Sequence, residues 1–265
     1  MSELLRYIKV YRTCLKNSLV REMEFRLNFY IWGLAMLMEY SVVLLFFNGI
    51  YAAVDSIGGW TKYEYYFYLG FMQILLTAFM IFIFPNVCSL PYKINSGEMD
   101  FILLKPISSQ FMVSLKNINY GYIVNIFAGF ALIAYGLADA AVNISLVTII
   151  AALVYSVIGT AILYSIFFVL STVAIWTKRA GFASDIFFNL WEFMRLPGSV
   201  YGYLSRVIFT YIFPILLICS VPVDVFLNRS DAETMITAAI IAVIWFAASI
   251  LFWNRSIKSY TSASS

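Results

Sequence analysis

The chain has 265 residues, of which 63% are hydrophobic, 12% charged and 18% aromatic, with a net charge of +3. A soluble domain is about half apolar and about a quarter charged, so this composition excludes an ordinary globular protein and points to one whose solvent is largely lipid. The small net charge argues against a nucleic-acid partner. The lack of histidine removes the commonest general base and metal ligand, and Cys14, Cys88 and Cys219 have the spacing of neither a disulfide framework nor a zinc site.

Residues 1–26 carry six Lys/Arg and three Glu, so no apolar run begins early enough to be a signal-peptide core. Within them, 3–20 reads as an amphipathic helix. Leu4, Ile8, Tyr11, Leu15 and Leu19 recur at three- and four-residue steps as one stripe, and Arg6, Lys9, Arg12 and Lys16 gather on a neighbouring face. Such a helix suits the membrane surface, its basic face toward anionic lipid headgroups. A solvated helix packed on a partner would show the same pattern.

The first predicted span is 27–51, with Glu39 as its only charge; a loop with Asp55, Gly58, Gly59 and Lys62 follows. The second is 63–84, with Glu64 at its entrance. A polar segment, 85–117, contains Pro85, Pro91 and Pro106. The third span is 118–136, a turn holds Asp139 and Asn143, and the fourth is 145–176, closed by Thr177, Lys178 and Arg179. Residues 182–219 are apolar but interrupted by Asp185, Asn189, Glu192, Arg195, Pro197, Gly198, Gly202, Arg206 and Pro214. They are too long for one straight span and too broken for two. A span plus a re-entrant half-helix fits, because broken backbone is tolerated at membrane depth only under protein or water cover. The last span is 235–253, after a loop near 220–234. The expected fold is therefore an all-α membrane protein with six transmembrane helices, an N-terminal amphipathic interfacial helix and a re-entrant segment before the last span. Its parts are 1–26, a transmembrane domain 27–253 and a tail 254–265.

Orientation follows from the basic residues. The flanks 1–26, 85–117, 177–181 and 254–265 hold thirteen of the 17 Lys and Arg, whereas the loops on the other side hold Lys62 and Arg229. Both termini are expected in the cytoplasm. No G-x-x-x-x-G-K-[ST] occurs, so no P-loop is expected, and without histidine neither is a Ser-His-Asp or Cys-His arrangement. The ionisable groups inside apolar runs are Glu39, Asp185 and Glu192, with Arg195. Each carboxylate costs about 2.5–3.5 kcal/mol to insert even on the lenient scale, which makes it a functional candidate. Glu192 and Arg195 stand one turn apart and can pair, as a structural ion pair or as a substrate contact. Glu39 has no local partner. A relay of Glu39, Asp185 and Glu192 would suit an ion-coupled secondary transporter. A non-transporting membrane scaffold is a further alternative.

The most informative stretch is 92–106. Gly97 follows a short helical pattern and suits a left-handed cap, Glu98 and Asp100 sit where a new helix would start, and Pro106 stops it. The result is two short helices joined at a glycine corner, presenting Phe101, Leu103 and Leu104 outside the bilayer. These side chains need a surface to bury them, on a partner or on the protein's own spans. Ile94, Gly97, Met99, Asp100, Leu103, Leu104, Lys105 and Pro106 match a pattern I-x-x-G-x-[LM]-D-x-x-L-[LI]-[KR]-P. Phe252, Trp253, Arg255, Lys258, Ser259, Tyr260 and Ser262 match a terminal pattern, with Ala263 where a glycine stands, and Arg195, Pro197, Tyr201, Arg206, Pro214 and Pro222 match a proline-containing region before the last span. In these features the whole chain resembles the membrane (permease) subunits of type 2 ATP-binding-cassette (ABC) exporters, in a six-span branch. The resemblance implies a multi-pass protein of the bacterial inner membrane that is not itself an enzyme. ATP and Mg would be bound by a separate ATPase dimer, and a second permease, identical or homologous, would complete the pathway. It further implies that Ile94, Gly97, Glu98, Asp100, Phe101, Leu103, Leu104, Lys105 and Pro106 form the coupling element that docks on the ATPase.

Overall fold

A computed structural model describes residues 3–24, 26–138, 145–177 and 182–261. Asp139, Asn143, Lys178, Arg179, Ser262 and Ala263 lie outside the described residues, as does the side chain of Leu4. Among the described residues every regular element is a helix. Lipid offers no partner to backbone N–H and C=O groups, and a helix satisfies them within one segment.

In chain order, α1 (Glu3–Glu24) is followed by α2 (Arg26–Tyr51) and α3 (Lys62–Phe82). The segment expected to be polar and loop-like is four short helices: α4 (Phe84–Cys88), α5 (Leu90–Asn95), α6 (Glu98–Leu103) and α7 (Ser109–Leu115). Then come α8 (Ile123–Leu137), α9 (Leu146–Thr172), α10 (Ala174–Thr177), α11 (Phe182–Met194), α12 (Tyr203–Val207), α13 (Ile215–Phe226) and α14 (Ala232–Ile257). Among the described residues five helices are long and apolar enough to cross a membrane: Gly33–Tyr51, Lys62–Phe82, Tyr120–Leu137, Leu146–Thr177 and Ala232–Ile257. The last runs beyond the expected end at 253, to Ile257.

The third element is the centre of the bundle. In α3, 78% of the apolar window is buried, against 22% in each of the other four, which keep an apolar face for lipid or a partner. Close approach to α8 is made by missing side chains. A Cβ on Gly70 would lie 2.7 Å from the Gly129 carbonyl oxygen, and one on Gly136 would lie 2.5 Å from the Phe67 nitrogen. Where association in lipid cannot draw on the hydrophobic effect, such small-residue contacts carry the packing. Gly159 of α9 does the same against the backbone of Ile218 in α13.

The interrupted region resolves into one crossing and one re-entrant pair. Helix α11 starts beside α4, with Phe187 and Phe84 ring centroids 4.5 Å apart. It ends beside the start of α3, where Tyr68 donates to the Met194 carbonyl at 2.7 Å and Tyr65 to that of Arg195 at 3.0 Å. Beyond it, Val200 reaches the loop before α3, against Gly58. Tyr203–Ile212 and α13 then meet at 93°, with Phe213 and Pro214 between them. After α13, Arg229 pairs with Glu64 in the first turn of α3. The bent pair thus begins and ends at the same end of the bundle, which makes it re-entrant. Among the described residues α11 with its extension thus runs between the same two ends of the bundle as the five long helices α2, α3, α8, α9 and α14. The expected outer loop at 220–234 shrinks, because α13 continues through Pro222 to Phe226.

The apolar stripe of α1 divides between two surroundings. Tyr7, Tyr11, Cys14, Leu15 and Ser18 face the protein, while Ile8 and Leu19 of the expected stripe are exposed with Leu5 and Val20. Edge contacts of Tyr7 and Tyr11 with Phe111 of α7, at 5.0 and 6.5 Å, set this rotation. Arg12, Lys16 and Lys9 are exposed.

The α9–α13 contact gives a test. Gly159→Leu should lower stability by about 1–3 kcal/mol or more through overpacking, read as a lower melting temperature in detergent. Gly49→Leu, at a position with nothing within 4 Å, should leave the melt unchanged. Equal melts for the two variants would show that the close approach does not hold the helices.

Candidate functional site

The helices α4 to α7 gather at one end of the bundle, called here the basic end. Their corner is Gly97, with φ 76°, a left-handed conformation that a Cβ disfavours. It closes α5 and starts α6, whose first turn carries Glu98 and Asp100, the end of a helix that favours negative charge. The helix ends at Leu103, ahead of Lys105 and Pro106. Phe101 and Leu104 are 72% and 82% exposed, Leu103 is at the margin of exposure, and Tyr92 joins them. Ile94 does not: it is buried with Met99 and Ile102 and anchors the corner instead of presenting it.

Side-chain hydrogen bonds bolt this corner to the spans. Asn86, fully buried, donates to the Phe82 and Asn117 carbonyls at 3.1 and 2.5 Å and accepts from the Asn117 amide at 2.7 Å. Tyr164 of α9 meets Gln110 at 3.0 Å and Ser114 at 2.9 Å, both on α7. Trp253 of α14 donates to Ser109 at 3.0 Å. The Tyr7 hydroxyl of α1 accepts from the Ser108 amide at 3.1 Å. Sequence reasoning passes over α7, although the signal is there: Ser108, just past Pro106, caps the helix by accepting from the Phe111 amide. Asn86 leaves no signal, because its partner Asn117 lies 31 residues away.

Lys93 is the unexpected member. It is 3% exposed, and its ammonium reaches the Asn86 and Val113 carbonyls at 3.3 and 3.5 Å. Burial, then the nearby charge of Lys116, pulls its pKa down to about 8, with Glu98 opposing.

A second charged group lies deeper. Arg195 bonds Glu39 of α2 at 2.5 Å and Glu192 at 3.1 Å. Glu39 therefore has a partner, 156 residues away, where the sequence shows none. A cavity of about 90 Å³ opens beside the two carboxylates, lined also by Thr77 and Trp191. Asp185 is not part of this group: it lies in the first turn of α11, two turns before Glu192. The relay of Glu39, Asp185 and Glu192 is thus not assembled in this chain. At the opposite end, Arg229 pairs with Glu64 and lies 5.2 Å over the Trp60 ring, a cluster the sequence does not reveal because Arg229 is 165 residues from Glu64.

A family model described as ABC-2 family transporter protein matches residues 37–264. The chain belongs to this family. No curated protein matches it. As an ABC-2 membrane component it is a multi-pass permease of an ABC transporter, a family that works with an ABC ATPase. The match covers the corner, the charged group around Arg195 and the re-entrant pair, and leaves out α1 and the start of α2.

Two outcomes follow for this ABC-2 permease. Arg195→Met leaves two carboxylates sharing no cation and should destabilise by about 1–3 kcal/mol, less than a fully buried pair because both acids are part-exposed. Adding Glu39→Gln and Glu192→Gln should restore the melting temperature. A triple variant no better than the single would remove the ion-pair account. For Lys93, the native segment gives up its proton near pH 8 while the unfolded chain keeps it to about 10.5. The unfolded state binds more protons between those values, so stability of the corner rises with pH across that window, by at most ~1.4 kcal/mol per unit. Hydrogen exchange of 90–104, corrected for intrinsic rates, should show this rise, and Lys93→Met should abolish it.

Proposed function

We propose that this chain is the permease of an ABC exporter, converting ATP binding and hydrolysis on a separate Mg-ATP-binding subunit into movement of its own helices. The chain itself has no catalytic role in this reading. The observation that carries it is the corner at Gly97: apolar Phe101 and Leu104 project just ahead of α7, and α7 with its cap Ser108 is bonded to α1, α9 and α14. Exposed apolar groups on a rigid mount suit a socket on a partner protein, and the bonds behind them suit transmission of force. Glu98, Asp100 and Lys105 provide polar contacts at the rim. The basic residues at the same end support a cytoplasmic placement of the corner and of both termini, in a bacterial inner membrane. A second permease, identical or homologous, would cover the apolar face that α2 exposes with Leu34, Met38, Val42 and Leu45.

Two glycines make a matched pair for the test. Gly97 and Gly59 both have positive φ, 76° and 86°, and neither has a close neighbour that a Cβ would strike. They lie at opposite ends of the bundle. Gly97→Val should tilt the corner and reduce co-purification of the ATPase and substrate-stimulated hydrolysis by about tenfold or more, the loss of roughly 1.4 kcal/mol of docking. Gly59→Val, equally strained, should leave both intact, and the expression of both permease variants should match. Asp100→Lys should weaken docking through reversed charge at the helix start. Assembly and stimulated hydrolysis unaffected by Gly97→Val and Asp100→Lys would refute the coupling role of the corner.

A further inference from the structure

The docking reading leaves one feature of the basic end unused. Between α1 and the helices behind the corner lies a groove of about 620 Å³. One wall is a strip on α1 at four-residue steps, Lys9, Thr13, Asn17 and Arg21; the facing wall carries Lys105 and Lys116. Four cations from three segments therefore line one groove. Among the described residues, the only ion pair any of them makes is Lys116 with Glu98, at 4.0 Å. Lys93 adds a fifth basic group behind Lys116. Like charges brought together in this way repel, and the repulsion is relieved by an anion with several acceptor oxygens. Asn17 adds an amide donor between the cations. The same helix exposes Leu5, Ile8, Leu19 and Val20, which sets it among lipid headgroups.

We propose that this groove binds a phosphate group, with an anionic phospholipid headgroup as the source that the position of α1 favours. The phosphate bridges α1 to Lys105 and Lys116, and Lys9 and Arg21, about 18 Å apart along α1, attract it from the two ends of the groove. Because Lys105 directly follows the corner helix, a bound headgroup ties the aim of the corner to the charge of the membrane. A soluble phosphate compound has the same chemistry and is separated from lipid by experiment.

Cys14 lies in the groove and reports its occupancy. The full chain is placed in nanodiscs of phosphatidylcholine, or of phosphatidylcholine with phosphatidylglycerol, and the rate of maleimide alkylation at Cys14 is read by peptide mass spectrometry. Phosphatidylglycerol should slow alkylation, and native mass spectrometry should show it retained on the chain. Removing Lys9 and Arg21 together (Lys9→Gln with Arg21→Gln) should weaken retention about 25-fold, roughly fivefold per cation, and abolish the slowing. Alkylation of Cys88 serves as the folding control. Inorganic phosphate in phosphatidylcholine discs is the second arm. Slowing there that also depends on Lys9 and Arg21 would support the site with a soluble phosphate as its ligand. No slowing in either arm overturns the proposal. So does slowing of equal size in the double variant, which would report only the surface potential of the disc.

Discussion

The fold depends on satisfying a row of carbonyls where α11 stops short of the full bilayer. A helix of 13 residues is about 20 Å long, against a hydrocarbon core of about 30 Å. Its last carbonyls have no intrahelical partner. Tyrosine hydroxyls take them: Tyr201 bonds Phe193 at 2.6 Å, Tyr68 bonds Met194 and Tyr65 bonds Arg195. Arg206 then donates to Gly198, Ser199 and Tyr201 at 3.1–3.2 Å. Six carbonyls of irregular backbone are covered by four side chains. The phenol is well matched to such a place, since its ring packs with apolar neighbours while its tip bonds. Tyr65 and Tyr68 lie on α3, so the central helix both fills the core and ends its neighbour. The side chain of Arg195, once its backbone is held there, points back to Glu39, and α2 is joined to the same node.

Much of this is legible in the chain itself. Long apolar runs place five helices within a few residues, because hydropathy and length alone decide whether a segment can cross. The corner at Gly97 is readable from a glycine after a helical pattern and acids after the glycine, both local effects. What stays hidden is tertiary. The partner of Glu39 is 156 residues away and the partner of Asn86 is 31 away, and no window on the sequence joins them. The rotation of α1 escapes the pattern because periodicity shows that a stripe exists but not which of two apolar faces meets protein. The region 182–219 reads as a span with a re-entrant piece, and the structure agrees, yet the piece extends further than expected. Pro222 and Asp224 look like a loop, and α13 carries both. In the sequence Trp253 is only one residue of a terminal pattern. In the fold it has a physical role, for it is buried against Phe168, with centroids 5.1 Å apart, and hands its N–H to α7.

The bonds at the basic end divide labour between two kinds of contact. Near the corner they are polar and directional, so each fixes an angle as well as a distance. Deeper in the bundle they are glycine-mediated backbone approaches and aromatic contacts, such as Phe187 stacked on Phe79 at 5.6 Å and edge-on to Phe167 at 4.9 Å. The first set fixes the orientation of the corner on the spans, and the second keeps long helices rigid over many turns. Rigidity of this kind is what lets a local displacement survive across the thickness of a bilayer instead of being absorbed by side-chain rearrangement.

The geometry of α9 gives that statement a mechanical form. Tyr164, where α7 is attached, lies five residues beyond Gly159, where α9 touches α13. The helix begins at Leu146, thirteen residues to the other side. At about 1.5 Å per residue the two arms are roughly 7.5 and 20 Å. With the glycine contact as fulcrum, α9 is an unequal lever of ratio about 2.6. A push of about one ångström at Tyr164 would swing the far end by more than twice that, in the opposite direction. Gly159 would then serve as the pivot, at the point where a Cβ would strike the α13 backbone.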